Sequence, residues 1–143
     1  MKQKEGFIEG QKGLSIYWQA WLPAGKPVAT VVIAHGLGEH GGRYRRVGEH
    51  LVKQGCAVYA IDHRGHGKSE GKRALVDRFD HAVADLDRLV DLARAERPEI
   101  PLFLLGHSMG GGISLAYTLA HQKKLDGLLL SGPAVALDGA SAV

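Results

Sequence analysis

The sequence predicts an α/β fold: a mostly parallel sheet with helices on both faces. Three observations carry that prediction. Continuous apolar runs recur at Val28 to Ala34, Cys56 to Ile61, Leu102 to Leu105 and Leu125 to Leu130, the pattern of strands buried on both faces. Stretches of helical period lie between them, clearest in Val76, Phe79, Val83, Leu86, Val90 and Ala93, which step alternately by three and four residues. Strand, helix, strand in this order needs right-handed crossovers, which lay helices over a parallel sheet.

The chain opens differently. Leu14, Ile16 and Trp18 alternate with Ser15, Tyr17 and Gln19, the period of a strand with one buried face. Phe7 and Ile8 before it suggest an antiparallel hairpin. After the first apolar run a helix is expected over about 44–54. The helix beginning near Val76 has Asp77 and Asp80 where an N-terminal dipole favours negative charge, and Pro98 follows its end. A third helix should run from directly after Ser108 through Leu119. Chemistry in such sheets gathers at the carboxyl ends of strands, and the two most unusual segments, His35 to Gly42 and Gly106 to Gly112, both fall there.

A length of 143 residues suits a single domain, residues 1–143, rather than two. Hydrophobic residues make up 45% and charged residues 23%, a globular composition. The 18 Lys and Arg exceed the 15 Asp and Glu by only +3 and are interspersed with them, so nucleic acid is not an expected partner. Cys56 is the single cysteine and stands in an apolar run, which predicts a buried structural thiol. The charged start Met1-Lys2-Gln3-Lys4-Glu5-Gly6 lacks the apolar stretch of a secretory signal, and a cytoplasmic location is the expectation. No run approaches the roughly 18 apolar residues of a membrane-spanning helix, which leaves peripheral contact as the expected mode at a membrane.

Gly106-His107-Ser108-Met109-Gly110 is Gly-x-Ser-x-Gly between an expected strand and an expected helix, the context of a nucleophile elbow. A tight strand-to-helix turn needs neighbours without side chains, supplied by Gly106 and Gly110, and lifts the Ser108 hydroxyl to the positive end of the next helix. The plainer reading is a glycine-rich helix start with a serine N-cap. A second motif decides between them. His35-Gly36-Leu37-Gly38 ends the strand Val28 to Ala34, where hydrolases with such an elbow place half of the oxyanion hole. The N–H of Leu37 would pair with that of Met109, the residue after the nucleophile, as fixed donors to a developing oxyanion.

Three segments then make the sequence recognisable: His35-Gly36-Leu37-Gly38-Glu39-His40-Gly41-Gly42-Arg43-Tyr44, Asp62-His63-Arg64-Gly65-His66-Gly67-Lys68-Ser69-Glu70-Gly71 and Gly106-His107-Ser108-Met109-Gly110-Gly111. Together they resemble the monoacylglycerol lipases and related lysophospholipase-like enzymes of the α/β-hydrolase kind. The resemblance implies Ser108 as nucleophile, Leu37 and Met109 as oxyanion-hole amides, His35 and Gly36 as supports of that loop, no cofactor, and a lipid ester with one acyl chain as substrate. Asp62 and Arg64 are read as structural, Asp62 capping turn amides and Arg64 tying down loops near the site. His63 with His66, or His35 with His40, lacks companions at metal-ligand spacing, so no metal is expected.

Nothing after Ser108 completes a triad in the order Ser, acid, His. His121 should lie roughly 20 Å along the third helix, Asp126 starts a strand and so sits at the wrong end, and Asp138 falls in a polar tail. His35 is the one histidine expected near Ser108. The triad acid and histidine are therefore expected outside this chain, which reads as the N-terminal part of the fold without its cap and last strands. Alone it should be nearly inactive, with the strand Leu125 to Leu130 offering an unpaired edge for self-association or a complementing chain. The alternative is a non-catalytic relative that binds a partner or a lipid.

Overall fold

The computed structural model describes residues 1–76 and 78–135, so Asp77 and Asp138 lie outside the described residues. Its strands are β1 (Lys2–Glu9), β2 (Ser15–Leu22), β3 (Ala29–Ala34), β4 (Cys56–Ile61), β5 (Leu102–His107) and β6 (Gly127–Ser131), and its helices α1 (Arg45–Lys53), α2 (Phe79–Glu96) and α3 (Met109–His121). The sheet order is β1-β2-β4-β3-β5-β6. β3 pairs in parallel with β4 and β5, and β5 with β6, whereas β1 with β2 and β2 with β4 are antiparallel. The expected α/β class and the opening hairpin are both present.

Alternation along the central strands feeds two cores. Val31 and Ile33 of β3 and Val58 and Ala60 of β4 share one face with Trp21 and with Val52 of α1. Val32, Ala57, Tyr59 and Ile61 face the other way, against Leu86, Leu89 and Val90 of α2 and Ile113 and Tyr117 of α3. Both faces are thereby covered at β3 and β4, whereas Phe103 and Leu105 of β5 are only half-buried and β6 is largely exposed; each aliphatic side chain buried in these cores contributes about 1.5–3 kcal/mol.

The structure corrects three expectations. β2 is buried on both faces from Ile16 to Leu22, not on one. It is an interior strand between β1 and β4; Tyr17 lies edge-on to Phe7 of β1, and Lys68 reaches over its ring from the loop after β4. Helix α2 begins at Phe79, after an extended Arg78, and Val76 packs against the core from the preceding loop. A periodic apolar position records packing whether or not its backbone is helical. Cys56, the first residue of β4, is half-buried rather than buried, and partial burial raises its thiol pKa. Among the described residues no helix is long and apolar enough to cross a membrane.

Candidate active site

β3 and β5 are neighbours in register, Ala34 opposite Gly106, so the loops that follow them leave the sheet side by side. Ser108 stands between β5 and α3 at φ 53° and ψ −118°, a left-handed backbone that a residue with a Cβ adopts only under strain. The strain is held on several sides. Ser108 N–H donates to Ser131 O at 3.0 Å, while Ser108 O accepts from the N–H groups of Gly111, Gly112 and Ala134. A Cβ on Gly106 would come within 2.5 Å of Gly110 O, and one on Gly110 would collide with the carbonyls of Ala34 and His35. The elbow is this tight because both positions are glycine.

The loop after β3 packs directly on it. A Cβ placed on Gly36 would lie 3.3 Å from Ser108 Cβ, so Gly36 and the nucleophile candidate are in contact distance. Leu37 follows, and Met109 opens α3 just after Ser108. Among the described residues neither the Leu37 nor the Met109 amide donates to a backbone acceptor in these turns. Two amides on two adjacent loops, with the N-terminus of α3 behind one of them, suit an oxyanion.

His35 supports this loop from beneath. It is fully buried; its Nδ1–H donates to Gly36 O at 2.7 Å and its Nε2 accepts the His63 N–H at 3.0 Å. Those partners select the neutral Nδ1–H tautomer and leave no nitrogen to take a proton from serine. Burial pushes its pKa down to about 4, against the Gly36 bond, which raises it. His63 and His66 pack against its ring, tilted at 58° and 53°, with centroids 4.4 and 5.2 Å away, and burial holds His63 well below the ordinary histidine range. Among the described residues no group of three His, Cys, Asp or Glu could hold a metal ion.

Asp62, just after β4, stitches two loops: Oδ1 accepts Gly41 N–H at 2.8 Å and Oδ2 accepts Lys68 N–H at 2.9 Å. Arg64 makes structural, charge-assisted bonds. It forms a buried pair with Asp85 of α2, Nε to Oδ2 at 2.7 Å and Nη2 to Oδ1 at 3.0 Å, and Nη2 also reaches Gln11 O. Its partners thus tie α2 to the β1–β2 turn, not to the loops carrying Leu37 and Ser108. Asp85 was missed in the sequence.

No side chain among the described residues hydrogen-bonds the Ser108 hydroxyl. His121 closes the far end of α3, and Asp126 caps the other end of the sheet by accepting Leu102 N–H at 2.8 Å. His107, next to the serine, commits Nδ1–H to Ser131 O at 3.0 Å. Beside the elbow lies a cleft of about 490 Å³, lined by Val47 and Leu105 together with Glu39, Arg43, Tyr44, His107 and Ser131.

The chain is similar to known proteins in sequence and in fold. The family profile described as serine aminopeptidase, S33, matches residues 25–142. A monoacylglycerol lipase of Mycolicibacterium smegmatis is 43% identical over 142 residues, 99% of this chain and 51% of its own. A monoglyceride lipase of Rattus norvegicus is 39% identical over 130 residues, 91% of this chain and 43% of its own. Among solved structures, a soluble variant of monoglyceride lipase from Saccharomyces cerevisiae in complex with a substrate analog aligns with a TM-score of 0.82 at 28% identity, covering 94% of this chain and 46% of that one. The chain spans about half the length of the curated relatives it matches.

Proposed function

The chain belongs to the serine aminopeptidase S33 family and has the α/β-hydrolase fold, and on that premise we propose that it carries the nucleophile of a serine carboxylic-ester hydrolase acting on lipid monoesters such as monoacylglycerol or lysophospholipid. One observation carries the reading: a serine held at positive φ on a strand-to-helix turn, with the Gly36 backbone packed against it. The relatives' names support a lipid ester over a peptide, and Val47 and Leu105 give the adjoining cleft an apolar lining.

In this mechanism Ser108 Oγ attacks the ester carbonyl carbon and loses its proton to a general base. The Leu37 and Met109 amides hold the oxyanion, the alcohol leaves with a proton, and water then hydrolyses the acyl-enzyme. The base and the acid that orients it are assigned to residues outside the described ones, since His35 uses both nitrogens within the fold. That same gap favours a second reading, a non-catalytic relative that binds lipid or a partner chain. Cytoplasmic residence and at most peripheral membrane contact belong to the proposal.

The test uses the longest natural polypeptide that carries this sequence. Monoacylglycerol hydrolysis should be lost in Ser108→Ala, and a fluorophosphonate should add mass to the peptide containing Ser108. Full hydrolysis by Ser108→Ala, or an adduct elsewhere, would overturn the ester-hydrolase reading; no hydrolysis by the parent polypeptide would favour the binding one.

A further inference from the structure

We propose that Glu39, anchored by Tyr44, is a positioning residue that presets the Leu37 amide beside Ser108; this rests on the reading of Ser108 and Leu37 just given. The Gly36 N–H donates to Glu39 Oε2 at 2.7 Å, and the Tyr44 O–H donates to the same oxygen at 2.8 Å. The Glu39 N–H returns to Gly36 O at 3.4 Å, the carbonyl that His35 Nδ1–H also holds. Both peptide groups around Gly36 are therefore fixed. Because a trans peptide is planar, fixing the Gly36 carbonyl fixes the Leu37 N–H on its opposite side.

The layers are close. A Cβ on Gly36 would sit 2.8 Å from Glu39 Oε2 and 3.3 Å from Ser108 Cβ, so the carboxylate, the Gly36 backbone and the serine are stacked with no room between them. The Glu39 side chain is only 15% exposed. Arg43, 4.0 Å away and largely in solvent, adds little to its orientation. A carboxylate holds an amide more firmly than a neutral acceptor does, since charge-assisted hydrogen bonds are about twice as strong.

Negative charge so near a developing oxyanion would oppose catalysis if it were free. Here it is engaged by Gly36 and Tyr44. Burial works to raise the Glu39 pKa, but the bonds from Tyr44 and Gly36 outweigh it and keep the carboxylate ionised, below its ordinary value. Tyr44, held well above the usual phenol range by burial and by Glu39, stays a donor.

The experiment is a kinetic comparison in the longest natural polypeptide carrying this sequence, with rates normalised to fluorophosphonate-titrated sites. Glu39→Ala should lower kcat by about 10- to 100-fold, short of the 10²–10³ expected for loss of a donor, with KM within about twofold. A boronate transition-state analogue should weaken by the same factor as kcat. Glu39→Gln, which keeps an acceptor, should stay within about fivefold of the parent, and Tyr44→Phe should lose about three- to tenfold in kcat. The Tyr44 variant decides the matter if Glu39→Ala does not fold. Unchanged kcat per titrated site in Glu39→Ala or in Tyr44→Phe, or a change confined to KM, would overturn the positioning role while Ser108-dependent activity stands. Activity that survives Ser108→Ala would overturn both readings.

Discussion

At the scale of single residues, His35 couples the oxyanion loop to the end of β4 through one tautomer, donating to Gly36 O and accepting from His63 N–H. Protonation would set the Nε2–H against that N–H, two donors facing each other. Its folded pKa, about 4, lies below the ordinary 6.5 because burial disfavours the cation. The unfolded chain therefore binds more protons between these values, and stability present above pH 6.5 is lost as the pH falls toward 4. The shift corresponds to about 3 kcal/mol for His35, and His63 adds to it in the same direction. Urea midpoints should fall steeply between pH 6.5 and 4, and less steeply in His63→Phe; a flat profile across that window would contradict the burial-lowered pKa of His35 and His63. His35 was legible because its motif is contiguous. Asp85 was not: it stands among Asp87 and Asp91 on one helix, and only the fold brings it to Arg64. Breaking such a buried pair typically costs 3–5 kcal/mol.

Elements were legible where their signal was local. The apolar runs gave β3 to β6 within about two residues, and Gly-x-Ser-x-Gly marked the junction of β5 and α3. Depth was harder to read, because what covers a strand's second face comes from elsewhere in the chain. Trp21 of β2 is fully buried beneath α1, and Gly48 is the helix position that admits it. A Cβ on Gly48 would stand 2.5 Å from Trp21 Cε3 and 3.0 Å from Cζ3. Two effects then compete in Gly48→Ala. Helix propensity favours alanine by about 1 kcal/mol, whereas overpacking against a rigid indole costs about 1–3 kcal/mol. The expected outcome is a net loss of about 1 kcal/mol in urea denaturation. A gain of that size would mean that α1 slides freely over β2.

For the whole molecule, the order β1-β2-β4-β3-β5-β6 leaves two edges of opposite character. β1 carries Lys2, Lys4, Glu5 and Glu9 along its length, the kind of charge that discourages edge-to-edge pairing. β6 is Gly-Leu-Leu-Leu-Ser, with Leu129 50% and Leu130 37% exposed, and among the described residues no strand pairs beyond it. Association should therefore be polar in direction, through β6 and not through β1. A polypeptide of these 143 residues is expected to grow in mass with concentration in light scattering. Leu129→Lys puts a charge on the apolar edge and should return it toward a monomer, with its circular dichroism unchanged. Phe7→Lys makes a comparable exchange at an exposed site on β1 and should leave association as it was. A monomer at every concentration, or equal effects of the two substitutions, would show that the β6 edge does not govern association, because only an edge-specific contact distinguishes two exposed apolar residues on opposite sides of one sheet.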